Sequence, residues 1–403
     1  LINRSFYPQN HPDLGSDIDA WGAFPDNAGM WIHHARQPQT APPGAWGLVK
    51  GVARSFALSL QILPAPVRWS VALAYLLARA SDSVADAVAV NGQHAGQNDQ
   101  RLLALDELQA ALQTPGAVSS THLPHVQSLL PHIPPVERRL LASLPTWLDA
   151  LHALPEADQR LITGVCQRIF SGQRLDLQRF AVDEPQSSAV KALATADELD
   201  DYTFRVAGCV GVFWTQVCEA HLPGWRRADL EPMQRASLAY GQALQLLNIL
   251  RDTPQDLALG RCYWPQTELA AMGISAEKLA AAVSSQDLAT LSCMRPLMAA
   301  QGQRIRVGLS LGLAYSSAIG PWRLRIASAL PALIGLRTLQ DIEQAHLHAW
   351  LQPVKVSRRF VRHLMWQCVW AGWTPSGLKN LGLRLGASEP HLHLAALDGK
   401  IPA

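Results

Sequence analysis

The sequence predicts an all-α protein, and three observations predict it. From Gly51 to Leu383 alanine and leucine recur at helical spacing. Strand-like alternation of β-branched and polar residues is nearly absent, and no repeat of fixed period runs through the chain. Of 403 residues, 48% are hydrophobic and 16% charged, against a usual charged share of about 25%. Burial is therefore extensive, and disorder or a charged coiled coil is a poor description. The 34 basic residues barely exceed the 32 acidic ones, a formal charge of +2, so no positive excess is left to cover a polyanion. Nucleic acid is not expected as a partner.

Taken in order, residues 1–48 carry Pro8, Pro12, Pro25, Pro38, Pro42 and Pro43 among polar residues and tryptophans, which predicts an irregular arm. Residues 49–386 read as one helical domain with a central apolar cavity, and residues 387–403 as a tail. Prolines at 64, 66, 131, 134, 135, 155, 185, 223 and 265 punctuate the domain into about ten to twelve helices. Val90–Gln100 and Gln113–Pro135 are expected to be its long loops. The longest apolar run, Val307–Trp322, is about 16 residues long, short of the ~20 that a spanning helix needs. The start has no apolar signal core, and Cys166, Cys209, Cys218, Cys262, Cys293 and Cys368 form no CxxC pair. A cytoplasmic protein with reduced thiols is the expectation, peripheral at the inner membrane surface if it meets a membrane at all. Composition does not set the oligomeric state.

Two segments place charge where little is expected. In Val71–Val90 the groups charged at neutral pH are Arg79, Asp82 and Asp86, within an arc of about 60° on an otherwise apolar or small helix. A solvated face is the bland explanation of such spacing. It is weakened here because no other lysine or glutamate lines that helix. In Ser237–Asp256 the residues Gln245, Asn248, Asp252 and Asp256 fall within an arc of about 80°, with leucine and isoleucine around the rest and Arg251 beside the stripe. Pro254 is expected to kink that helix before Asp256.

Carboxylates four residues apart can hold Mg²⁺ without saturating it, leaving positions for water and phosphate oxygens. Neighbouring arginines would take up the remaining phosphate charge by bidentate bonds. An apolar space between the helices would receive a hydrocarbon chain and keep water from a carbocation. The pattern suits a diphosphate ester of a lipid. Phosphate-loop, dinucleotide, nucleophile-elbow and zinc-protease motifs are all missing from the sequence.

The run Arg54-Ser55-Phe56, the segment LLARASDSVADA, GQRLDLQRF from Gly172, DYTFRVAGCVG from Asp201 and LQLLNILRDTPQDLALGRCYWP from Leu244 together resemble the squalene/phytoene synthase family, in the same order and at similar intervals. KVSRR at Lys355–Arg359 adds a lesser match. The resemblance implies a helical isoprenoid-synthase domain that joins two prenyl diphosphates head to head. It implies that Asp82, Asp86, Asp252 and Asp256 bind Mg²⁺, with Asn248 on the metal side, and that Arg54, Ser55, Arg79, Arg251 and Arg261 contact phosphate oxygens. Tyr202 would guide proton or carbocation events, and Tyr75, one turn before Arg79, would border the same site. Ala53 replaces a serine that family members often carry, and Arg205 stands where a second aromatic is more common. GRCYWPQ resembles the version found in squalene synthases, which implies farnesyl diphosphate as substrate, presqualene diphosphate as intermediate and NADPH as reductant. Geranylgeranyl diphosphate giving phytoene, or an unreduced product, is the alternative. A helical assembly factor without catalysis and a one-substrate terpene cyclase are rival functions, and the four aspartates and the DTPQD motif weigh against each in turn.

Two features remain. Histidine pairs such as His346 and His348, two apart, point to different sides of a helix and make poor chelators. Trp366, Trp370 and Trp373 follow i, i+4, i+7 after Arg358, Arg359, Arg362 and His363. The stripe reads either as a core face with a basic cap or as a membrane-surface patch.

Overall fold

The computed structural model describes residues 41–53, 56–87, 97–114, 123–181, 190–351, 354 and 356–388. The chain is helical nearly throughout these ranges, as the spacing predicts. Its first half runs α1 (Ala45–Ala53), α2 (Phe56–Ile62), α3 (Ala65–Ala85), α4 (Gln97–Gln113), α5 (Pro124–Leu129), α6 (Pro135–Ala142), α7 (Leu144–His152) and α8 (Glu156–Arg179). Then follow α9 (Ala196–Thr203), a π turn (Phe204–Gly208), α10 (Cys209–His221), α11 (Leu230–Ala258), α12 (Gln266–Ala271), α13 (Ala276–Ser284) and α14 (Leu288–Leu291). The last helices are α15 (Arg295–Ser317), α16 (Trp322–Ala345), α17 (Arg358–Ala371) and α18 (Pro375–Arg384). There are more helices than the ten to twelve expected, because several are only two turns long. The predicted prolines do start helices: Pro64, Pro134, Pro155 and Pro265 stand at the N-caps of α3, α6, α8 and α12.

Three expectations are corrected. Helix α1 begins at Ala45, inside the predicted arm, once Pro43 and Gly44 are passed. The segment expected as a loop from Gln113 to Pro135 contains α5 and a 3-10 turn over Leu130–His132. Its cap is not local: the Glu107 carboxylate of α4 accepts the backbone N–H of His125 and Val126 at 3.1 Å, which no reading of the loop alone reveals. Likewise α4 starts at Gln97, inside the other expected loop, of which residues 90–96 lie outside the described ranges. Residues 1–40 of the arm and 389–403 of the tail also lie outside them.

Two apolar cores form. One gathers Leu60, Leu73, Leu77, Trp147 and Ile162 from the first half of the chain, and the other gathers Leu246, Leu250, Leu309, Leu330 and Leu336 from the second. Helix α11 lies between them, packed against α10 on one side and α15 and α16 on the other. Its approach to α10 is set by glycine. A Cβ on Gly241 would collide with the backbone of Ala207 and Gly208, and one on Gly211 with the carbonyl of Ser237. Only hydrogen fits at these crossings, so the backbones touch directly. The one sheet among the described residues is a parallel pair, β1 (Lys191–Ala192) with β2 (Arg261–Cys262), in register Lys191↔Arg261.

Candidate active site

Helix α3 is buried along most of its length, with Val71, Leu73, Leu76, Leu77, Ala80 and Val84 all inside. It stops earlier than predicted. The last helical residue is Ala85, and Asp86 is the C-cap, its N–H reaching the Asp82 carbonyl at 2.8 Å. The two aspartates thus sit on the last turn and on the cap, not mid-helix. Asp82 accepts a hydrogen bond from Gln173 Nε2 of α8 at 2.5 Å and lies 3.6 Å from Arg79. Arg79 is also paired with Glu137 of α6, a partner the sequence did not suggest. Tyr75, one turn earlier, donates its hydroxyl to the Val52 carbonyl at 3.3 Å and borders Arg79.

Helix α11 continues through Pro254 to Ala258, so Asp256 lies within the same helix as Asp252. Proline leaves the carbonyl four residues back, that of Leu250, without its helical donor. Here the indole N–H of Trp350 supplies one at 3.0 Å, while Thr253 bonds the Ile249 carbonyl at 2.7 Å and accepts from Trp264 Nε1 at 3.1 Å. The repair keeps Asp252 and Asp256 on one helical face. Trp350→Phe is expected to cost about 1–3 kcal/mol by orphaning that carbonyl, read as a lowered urea midpoint. An unchanged midpoint would mean that another donor takes over.

Asp252 is held by Arg251, whose Nε and Nη2 reach its two oxygens at 2.8 and 2.5 Å. Asn248 donates to Gln245 at 3.4 Å. Past Asp256, Gly260 takes φ +77° and turns the chain into β2. That strand sets Arg261 at 3.8 Å from Asp176 of α8, and the next residue but one, Tyr263, donates its hydroxyl to the same carboxylate at 2.5 Å. Tyr202 of α9 stacks on Tyr263, with centroids 4.9 Å apart, and its hydroxyl donates to that of Tyr263 at 3.4 Å. Arg205, the departure from the aromatic position, pairs instead with Asp201 at 2.8 Å and with Ser171 at 3.1 Å.

The charges of these helices act on one another. Burial, then the charge of Asp252, pushes Asp256 up to about 7, against Arg261 and with further repulsion from Asp176 and Asp86. Burial pushes Asp176 up to about 6, with Tyr263 and Arg261 pulling the other way. Burial, then Asp86, pushes Asp82 up to about 6. Asp86 itself is raised by desolvation against the pull of Arg261 and Arg79. Asp86, Asp176 and Asp256, from three helices, therefore share Arg261 as their common cation. Burial also keeps the Tyr202 phenol protonated, with the charge of Asp176 acting in the same direction.

The family model described as squalene/phytoene synthase matches residues 49–360. The chain belongs to the squalene/phytoene synthase family. Among its relatives, the 15-cis-phytoene synthase of Pantoea ananas is 26% identical over 304 residues, 74% of this chain and 82% of that protein. Phytoene synthase 2 of Solanum lycopersicum is 33% identical over 150 residues, 32% of this chain and 47% of its own length. The squalene synthase of Yarrowia lipolytica is 25% identical over 214 residues, 53% of this chain and 43% of its length. The matches thus span about half or less of these last two relatives. A solved complex of TcSQS with a ligand superposes at a TM-score of 0.65 with 22% identity, covering 85% of this chain and 90% of that one. A dehydrosqualene synthase complex superposes at 0.52 with 20% identity, covering 80% and 93%. The likeness extends the family assignment to the fold.

Within this squalene/phytoene synthase fold, the residues singled out from sequence divide clearly. Asp86, Asp256, Arg261 and Tyr202 gather around Asp176 and Tyr263, Asp82 and Arg79 lie one and two turns away along α3, and Asp252 with Arg251 lies one turn and Asn248 two turns away along α11. Arg54 and Ser55 lie outside the described residues, as does Lys355 of the lesser match. Sequence reasoning missed Asp176, Tyr263, Gln173 and Arg101. The first three stand inside the quoted segments, and the i, i+3 spacing of Gln173 and Asp176 in GQRLDLQRF was the available signal. Arg101 of α4 is buried, donates to the Ala85 carbonyl at 3.1 Å just before Asp86, and is lowered to about 10 by burial and then by Arg261. It braces the cap that carries Asp86.

Proposed function

We propose that the chain joins two prenyl diphosphates head to head with release of diphosphate, taking farnesyl diphosphate through presqualene diphosphate to squalene. The observation that carries the reading is that Asp86 and Asp256, one from each aspartate pair, act on each other and on Arg261 beside Asp176, with Asp82, Asp176 and Asp256 raised above the usual carboxylate range first by burial and then by neighbouring carboxylates. Burial is the first cause of each shift, and one oxygen of Asp176 is buried with no hydrogen-bond partner. Mg²⁺ fits this donor set, with Asp82, Asp86, Asp252, Asp256 and Asn248 as the residues that would hold it. Among the described residues no three acidic, histidine or cysteine side chains gather closely enough to enclose a metal by themselves. Bound there, Mg²⁺ supplies electrostatic stabilisation of the departing diphosphate.

The chain's own groups do the rest. Arg79, Arg251 and Arg261 offer hydrogen bonds to phosphate oxygens, fixed in place by their carboxylate partners before substrate arrives. Tyr202, protonated and stacked on Tyr263, holds a hydroxyl dipole at the edge of the charged centre. Ile249, Leu257 and Trp264, buried beside Asp256, would keep water from a reacting hydrocarbon. Farnesyl preference is supported by GRCYWPQ, which runs from Gly260 through β2 to the start of α12. Reduction by NADPH belongs to the same proposal, with no described residue assigned to that cofactor. The test is a competition: equal farnesyl and geranylgeranyl diphosphate with Mg²⁺ and NADPH, products read by mass spectrometry. Squalene is expected to dominate. Phytoene as the main hydrocarbon would overturn the farnesyl assignment, and presqualene diphosphate accumulating despite NADPH would overturn the reductive step.

A further inference from the structure

The tryptophan stripe of α17 faces outward. Trp366, Trp370 and Trp373 are 68, 79 and 68% exposed, while the opposite side of the helix buries Leu364 and Cys368. Arg359, Arg362 and His363 are exposed on the same face one to two turns earlier, and Val369 sits between the indoles. Trp322, the first residue of α16, joins the patch by stacking on Trp373, with centroids 6.0 Å apart and planes 19° from parallel.

The patch is built on a rigid mount. Arg325, almost wholly buried, donates to the carbonyls of Ile319 and Gly320 at 2.8 Å, of Gly372 at 3.0 Å and of Trp373 at 3.3 Å. A buried guanidinium thus ties the turn that carries Trp373 to the turn before Trp322. Fraying does not explain the exposure, since both ring-bearing turns are held by four charge-assisted bonds.

Charge selects the occupant. Between Gln344 and Ser388 the sequence has no Asp or Glu, but carries Lys355, Arg358, Arg359, Arg362, Lys379 and Arg384. A second copy of the chain would bring this acid-free stretch against itself and repel. An anionic bilayer attracts it, and indoles settle at the headgroup level of such a surface. No helix among the described residues is long and apolar enough to cross a membrane. We propose that the outer face of α17, together with Trp322 and Trp373, docks the protein peripherally on an anionic lipid bilayer, indoles at the headgroups and arginines beside the phosphates.

The test uses the full chain with vesicles of phosphatidylcholine, with and without phosphatidylglycerol, read by co-flotation and by tryptophan fluorescence. Binding to the anionic vesicles is expected, weakening as salt is raised. Trp366→Ala with Trp370→Ala should lower the partition coefficient at least about tenfold with the unfolding midpoint unchanged. Arg359→Glu with Arg362→Glu should abolish the preference for phosphatidylglycerol. Failure to bind either vesicle would overturn the proposal, as would binding untouched by both pairs of substitutions. A solution dimer that dissociates in the tryptophan variant, without vesicle binding, would give the face to a second copy.

Discussion

Asp82→Asn and Asp252→Asn are each expected to lower turnover by about 10²-fold or more at saturating Mg²⁺, with the fold intact. The substitution keeps shape and removes charge. Asp82 lies within reach of Gln173 and Arg79, and Asp252 is gripped at both oxygens by Arg251, so each amide has partners in place. For Asp82 the stability should change little, because its side chain keeps 42% of its surface in solvent and the amide still meets Gln173 and Arg79. Activity and stability therefore move independently, which separates a chemical role from a structural one. Steady-state rates and melting curves on the same preparations measure both. Near-normal turnover in either variant would remove that aspartate from the mechanism.

Gly241→Val is expected to be the most damaging change to stability, at about 3 kcal/mol or more. The atoms a side chain would meet are the backbone of Ala207 and Gly208, which cannot rotate aside as a side-chain tip can. Relief requires α11 to part from the π turn, and α11 carries Asp252 and Asp256 while Tyr202 stands just before the turn. Turnover should fall with stability here, unlike in the aspartate variants. Gly164→Ala in α8 is the control: nothing lies within 4 Å of its added methyl, so the urea midpoint should hold or rise slightly. A Gly241→Val midpoint equal to wild type would mean that the two segments separate without penalty.

What sequence reveals here is local. Asp82, Asp252 and Asp256 stand out because charge among apolar neighbours on one helix is visible within a window of a few turns. Asp176 and Tyr263 do not stand out, because their bond joins residues 87 positions apart and exists only once α8 and β2 are side by side. How α11 continues past Pro254 is hidden for the same reason: the donor to the freed carbonyl, Trp350, lies 100 residues from Leu250. The tryptophan stripe shows a further limit. Periodicity gives the stripe, but Leu364 and Cys368 on the other face decide which side the domain keeps.

The π turn over Phe204–Gly208 bears on how this family must be compared position by position. A turn closed by bonds to the fifth residue carries one residue more than an α-helix would, so everything after it is rotated by about 100° relative to what precedes it. Phe204 is accordingly buried where Val206 is only half-buried, and the inward face resumes at Gly208, Cys209, Val212 and Phe213. Tyr202 and the glycines that clasp α11 therefore belong to two phases of a single continuous rod. Removing one residue within the turn would let an ordinary α turn close in its place, with the phenol and the clasp still facing their partners. Two spacings between tyrosine and glycine that differ by one residue can thus present the same two faces, one through a π turn and one through an α turn.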